Sequence, residues 1–174
     1  MSAAQAIMTT NLSLTPPLPS RFVERWLAAA PARGPLLQRL CELKLSELDF
    51  GQWLAEQQAE APTLRAAMRR LRNLLVSAIA MRDLSGRADL AEVVGAISTF
   101  ADFVVRTHLA DLYAAMTDAH GVPTGGESGR PQQMIVLGMG KLGGGELNVS
   151  SDIDLIFLYP EGGERSEEHT SELQ

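Results

Sequence analysis

The chain has a single cysteine, Cys41, so no internal disulfide can form. A lone thiol suits a reducing compartment, and helix packing is its ordinary use. Positive charge is in deficit: 15 Lys and Arg stand against 21 Asp and Glu, a formal net charge of −6. That balance disfavours a general nucleic-acid binder. No uninterrupted apolar run approaches the roughly 20 residues of a membrane span. The first residues lack the charged-then-apolar pattern of a secretory signal. These absences lead us to expect a cytoplasmic protein with neither membrane nor nucleic acid as partner. His108 and His120 have no second ligand at metal spacing and read as ordinary side chains. Internal repeats are also missing.

What is present is enough for a core. Hydrophobic residues make up 45% of 174, and mean hydropathy is +0.00, which argues against disorder and for one or two small domains. Residues 1–20 carry Pro16, Pro17 and Pro19 and read as a flexible leader. Residues 21–120 read as a helical region. Arg21–Ala30 and Leu36–Leu45 are short candidates separated by Pro31, Gly34 and Pro35. Ser46–Glu60 can hold a third, with Phe50, Trp53 and Leu54 inward. Pro62–Asp83 is stronger, because Leu64, Met68, Leu71, Leu75 and Ile79 recur at near-helical spacing. Arg65, Arg69, Arg70, Arg72 and Arg82 decorate it. A basic face of that kind is ordinarily solvated; the functional alternative is contact with an acidic partner or a nucleotide.

Gly86 suits the C-terminal cap of that helix. Asp89-x-x-Glu92 then has the form of a capping box. An apolar stripe from Leu90 through Val93, Ile97, Phe100 and Val104 to Leu112 and Met116 is expected to bury one side of a long helix. Residues 121–132, with Pro123, Gly125, Gly126, Gly129 and Pro131, read as a linker.

Residues 133–164 hold the chemistry. In QMIVLGMGKLGGGELNVSSDIDLIFLYP, two apolar runs bracket a glycine-rich turn. Met134–Leu137 reads as a buried strand, and Ile153–Tyr159 as a second one, apolar on both faces and so central in its sheet. Alternation along a strand puts Asp152 and Asp154 on one face at its start. Carboxylates that close repel, and a divalent cation resolves the repulsion. Mg²⁺ favours such oxygens together with substrate phosphates. Amides of a glycine-rich turn form a concavity suited to phosphate. The stretch therefore reads as a metal–nucleotide site: its glycines and Lys141 toward phosphate, Asp152 and Asp154 toward metal.

Two other glycine motifs fail. Gly138-x-Gly140-x-x-Gly143 matches a dinucleotide fingerprint, but that fold needs a helix of about a dozen residues next and an acid closing the following strand. Here the acids open it. A phosphate-binding loop ending in Gly-Lys-Ser/Thr also fails, since Gly144 follows Gly143. The bland alternative is that the two aspartates only cap a turn.

The glycine turn with a downstream Asp-x-Asp resembles the nucleotidyltransferase superfamily. The longer string GMGKLGGGELNVSSDIDLIF is similar to bifunctional glutamine synthetase adenylyltransferase/adenylyl-removing enzymes, in their N-terminal, adenylyl-removing half. The resemblance spans Arg65 to about Gly163. It implies an α+β protein: a helical region followed by the first strands of a nucleotidyltransferase-type α/β domain, truncated here, with a third carboxylate on a later strand. It implies phosphate-dependent removal of AMP from an adenylylated tyrosine of glutamine synthetase, releasing ADP, with Asp152 and Asp154 catalytic, Gly140, Lys141, Gly143 and Gly144 at phosphate, and Ser151 steadying the strand entrance or contacting phosphate itself. Mg²⁺, or Mn²⁺ in its place, is the implied cofactor. Implied partners are glutamine synthetase, ADP or ATP, phosphate, and a nitrogen-regulatory signalling protein. The fragment alone is expected to be inactive. Two alternatives are a non-catalytic docking or regulatory piece and a different nucleotidyltransferase. Residues 165–174, RSEEHTSELQ, resemble a translated sequencing adapter and are expected to be non-native.

Overall fold

The computed structural model describes Leu14 and residues 18–164. The expectations for most of residues 1–17 and for residues 165–174 lie outside the described residues. The chain is α+β and divides into two compact units, one ending at Val93 and one beginning at Val94.

The first unit is helical. Helix α1 is Arg21–Ala28, α2 is Gly34–Glu42, α3 is Phe50–Gln58 and α4 is Leu64–Leu84. Caps explain the starts. The side chains of Ser20, Asp49 and Thr63 accept amide hydrogen bonds from the first turns of α1, α3 and α4. Helix α2 begins two residues before the sequence reading placed it, because Pro35 sits in its first turn, where no amide is needed. The end of the expected leader is packed: Leu18 is buried, and its amide donates to Glu24 Oε1 at 2.7 Å. The core is built from Leu37, Leu40, Cys41, Phe50, Trp53 and Leu54 against Met68, Leu71, Leu75 and Ile79 of α4, all buried. Of the expected α4 stripe, only Leu64 stays half-exposed. Gly86 ends the helix in the left-handed region, φ +70°.

Helix α5, Leu90–His120, crosses from the first unit into the second. Asp89 Oδ1 accepts from the Glu92 amide at 2.8 Å, as the capping box requires. The other half of the box is missing. Glu92 Oε1 turns away, accepting from the Leu45 amide at 2.8 Å and from Arg82 Nη2 at 3.0 Å. Arg82, itself buried, also donates from Nη1 to the Cys41 carbonyl at 2.9 Å. The α5 stripe is buried only at Val93, Ala96, Ile97 and Phe100; Leu90, Leu112 and Met116 are exposed. This helix is long and apolar enough, by length and composition, to cross a membrane. Reading uninterrupted runs missed that, since Asp102 and Arg106 break the run. Charges at such positions are costly in lipid.

The second unit adds four short strands: β1 Thr124–Gly125, β2 Ile135–Gly138, β3 Leu155–Leu158 and β4 Gly163–Glu164, with the single helical turn α6, Gly140–Gly143, between β2 and β3. β1 pairs antiparallel with β4, so the expected linker contains a strand. Glu161 holds the loop after β1. Its carboxylate accepts from the Ser128 hydroxyl, from the amides of Glu127 and Ser128 at 3.0 and 3.1 Å, and from Gln132 Nε2 at 3.1 Å. The Ser128 hydroxyl is the main reason its acid is stronger than an ordinary glutamate; desolvation opposes it and the two amides add to it.

β2 and β3 are antiparallel neighbours with Ile135 opposite Leu158 and Gly138 opposite Leu155. Both were expected to be buried. Instead Ile135, Leu137, Ile156, Phe157 and Leu158 are all exposed. Each strand has one neighbour among the described residues, so neither is central, and these five side chains are left without cover.

Candidate nucleotide and metal site

β2 runs into the glycine turn, and the register of the β2–β3 pair carries on one step beyond both strands. The Met139 amide donates to the Asp154 carbonyl at 2.9 Å. Asp154 is therefore pinned beside the residue that caps α6. Met139 and Asp154, 15 residues apart in sequence, bring the two motifs together at one end of the ladder.

The aspartates differ from their expected setting in one respect. β3 begins at Leu155, so Asp152 and Asp154 precede the strand and are exposed. Strand alternation reaches Asp154 through its pairing with Met139 but stops short of Asp152. Ser151 is half-buried, and its amide closes a turn on the Asn148 carbonyl at 3.1 Å.

The glycines divide by role. Gly140 takes φ +53°, a left-handed conformation that bulkier residues rarely adopt. A Cβ on Gly143 would lie 2.6 Å from the Gly138 carbonyl oxygen, so only glycine lets α6 fold back under β2. The amides of Gly143 and Gly144 already donate to the carbonyls of Met139 and Gly140, at 3.3 and 3.1 Å. Those of Gly140 and Lys141 have no acceptor among the described residues. Lys141 is exposed and forms no ion pair among them. A free ammonium and two free amides at one turn can receive phosphate oxygens.

Two buried leucines anchor the turn. Leu142 lies inside α6 and Leu147 follows it, at 7% and 4% exposure. The Leu147 amide donates to Ser98 Oγ of α5 at 3.0 Å, in a buried setting. Sequence reading passed over Ser98. Its signal was a small hydroxyl next to Ile97 on an otherwise apolar stripe.

By donor type, Asp152 and Asp154 could supply a partial ligand set for Mg²⁺. That ion commonly takes one or two carboxylates and completes its shell with water and substrate phosphates. The carboxylates are open to solvent. Among the described residues no group of three Asp, Glu, His or Cys side chains converges on a metal position.

A model of the family described as glutamate-ammonia ligase adenylyltransferase matches residues 20–173. The chain belongs to this family. The match runs beyond Gly163, where the sequence reading had placed the end of the resemblance. Among curated members of the adenylyltransferase family, the chain is 50% identical over 148 residues to a bifunctional glutamine synthetase adenylyltransferase/adenylyl-removing enzyme of Chromobacterium violaceum. It is 45% identical over 154 residues to the enzyme of that name from Ralstonia nicotianae, and 45% over 150 residues to that of Nitrosomonas europaea. Each match covers 83% of this chain and 16% of the relative. The chain thus spans about a sixth of the length of these family members.

Proposed function

We propose that this chain is the adenylyl-removing part of an enzyme that controls glutamine synthetase through adenylylation and deadenylylation. The observation that supports it best is the pairing of Met139 with Asp154, which sets the glycine turn against the acidic pair in a member of this family. In the proposed reaction a phosphate oxygen attacks the phosphorus of the adenylyl group. The bond from phosphorus to the tyrosine oxygen breaks, that oxygen takes a proton, and ADP departs. Lys141 and the amides of Gly140 and Lys141 hold phosphate oxygens. Gly143 and Gly144 allow the close approach, and Ser151 steadies the entry to the acidic pair. Asp152 and Asp154 would hold Mg²⁺, or Mn²⁺ in its place. When bound, the ion neutralises charge on the transferring phosphoryl group and orients attack.

Under this reading the partners are glutamine synthetase, a nucleotide, phosphate and a nitrogen-regulatory signalling protein. The compartment is the cytoplasm, in keeping with a single buried thiol. We also propose that this chain alone does not turn over, because two carboxylates make an incomplete metal set. The test is phosphate-dependent ADP release from adenylylated glutamine synthetase by an enzyme of the relatives' full length. Asp152→Asn and Asp154→Asn each remove one charge and keep the shape. Each should lower the rate by about 10²–10³, the usual cost of a lost preorganised electrostatic contact. Wild-type rates in both folded variants would reduce the acids to turn caps and end the proposal.

A further inference from the structure

The first unit carries a partly open cleft of about 60 Å³ that uses none of the residues between Gly138 and Asp154. Its walls come from four directions: Trp26 of α1, Arg33 from the turn before α2, Gln57 of α3, and Arg70 and Asn73 of α4. The polar content is high for so small a space, and much of it is unused.

Gln57 of α3 is 6% exposed, and its side-chain amide makes no hydrogen bond to the described residues. Its polar atoms are not cut off from solvent. Gln57 lines the cleft, where its amide is available to a ligand. The Asn73 side chain faces the same space, half-buried, also with no partner among the described residues.

The charges point to the partner's sign. Arg33 donates from Nη1 to the Trp26 carbonyl at 2.8 Å and lies 4.9 Å over the Trp26 ring. Neither contact neutralises it, and no carboxylate pairs with it among the described residues. Arg70 is paired with Glu60, through Nη2 to Oε2 at 2.6 Å, with Nη1 on the Glu60 carbonyl at 2.8 Å. A guanidinium carries five N–H donors, so each arginine keeps spare ones. A water position needs about 10–15 Å³ of such volume, so the cleft has room for roughly four to six small atoms. That is the size of a tetrahedral oxyanion or of one carboxylate end.

We propose that this cleft is a binding site for a small oxyanion, framed by the amides of Gln57 and Asn73 and the guanidinium of Arg33. An amide also offers a carbonyl oxygen, which needs a donor. Monohydrogen phosphate brings an O–H as well as anionic oxygens, whereas a carboxylate brings only acceptors. The site should therefore rank inorganic phosphate above acetate.

The experiment titrates the full chain with inorganic phosphate or acetate at constant ionic strength made up with chloride, following the side-chain amide resonances of Gln57 and Asn73. Phosphate should shift both resonances saturably, with acetate weaker. Gln57→Leu and Arg33→Gln should each weaken phosphate binding at least tenfold. Arg33 is not in the core, so its variant remains informative if Gln57→Leu does not fold. Lys141→Ala should leave these shifts unchanged, which separates this cleft from the proposed nucleotide turn. No saturable shift with either anion would mean that the cleft holds water only. Loss of the shifts in Lys141→Ala with retention in Arg33→Gln would assign the binding to the turn instead. Either result overturns the proposal and leaves the deadenylylation reading standing.

Discussion

The amide of Leu147 and the hydroxyl of Ser98, 49 residues apart in sequence, share a buried hydrogen bond of 3.0 Å. It fastens the segment after the glycine turn to helix α5. Ser98→Ala removes the acceptor and leaves a buried amide unpaired, at a cost of about 1–3 kcal/mol. The expected outcome is a lower melting temperature together with faster hydrogen exchange at Leu147. An unchanged exchange rate would show that the contact does not restrain the segment.

Gly143 and Gly144 should separate in behaviour. A Cβ on Gly143 meets backbone at 2.6 Å, whereas on Gly144 the nearest atom is 3.6 Å away and φ is −82°. Gly143→Ala should destabilise by about 1–3 kcal/mol, the usual penalty for overpacking. Gly144→Ala should melt like wild type. If it nonetheless loses deadenylylation in the longer enzyme, Gly144 matters for the approach of phosphate. Equal melting temperatures for the two variants would contradict the packing argument.

Glu92 was expected to close a capping box and instead pairs with Arg82, at 19% and 8% side-chain exposure. Removing one member of a buried pair typically costs about 3–5 kcal/mol, because the other charge is stranded. Glu92→Leu should approach that figure by chemical denaturation. Arg82→Met combined with Glu92→Leu should cost less than Glu92→Leu alone. A double variant at the sum of the singles would show that the two do not act as a pair.

Cys41 gives a prediction in pH. Burial pushes its thiol from 9.0 up to about 12, with Arg82 and then Arg87 pulling part of the way back. The folded state thus keeps a proton that the unfolded state releases near pH 9. Stability from this group is complete below pH 9 and is lost as pH rises from 9 toward 12, by about 1.4 kcal/mol per unit. Cys41→Ala should flatten that alkaline slope. The wild-type thiol should resist alkylation at pH 8 until the protein is unfolded.

Helix α4 and the inward side of α3 were legible because periodicity acts locally: Met68, Leu71, Leu75 and Ile79 repeat within one helix, and Phe50, Trp53 and Leu54 lie on one side of another. The glycine turn and its acids were legible as a string of residue types. What escaped depends on partners distant in sequence. β3 starts at Leu155 because Gly138 ends β2, so the aspartates fall just outside the strand. Two-residue strands such as β1 and β4 carry no periodicity to read. Glu92 obeys its local motif only until Arg82 and the Leu45 amide compete for its carboxylate. Burial of β2 and β3 was inferred from apolar content, which shows what a strand can cover but not what covers it.

The exposed apolar side of the β2–β3 ribbon has a practical consequence for handling this polypeptide. Ile135, Leu137, Ile156, Phe157 and Leu158 are exposed on a ribbon whose two edges are unpaired among the described residues, the arrangement on which strands of separate molecules add to one another. Colloidal behaviour of the isolated chain will therefore be governed by these eight strand residues more than by its helices. Its net charge of −6 supplies the opposing repulsion, so added salt should hasten clouding by screening it.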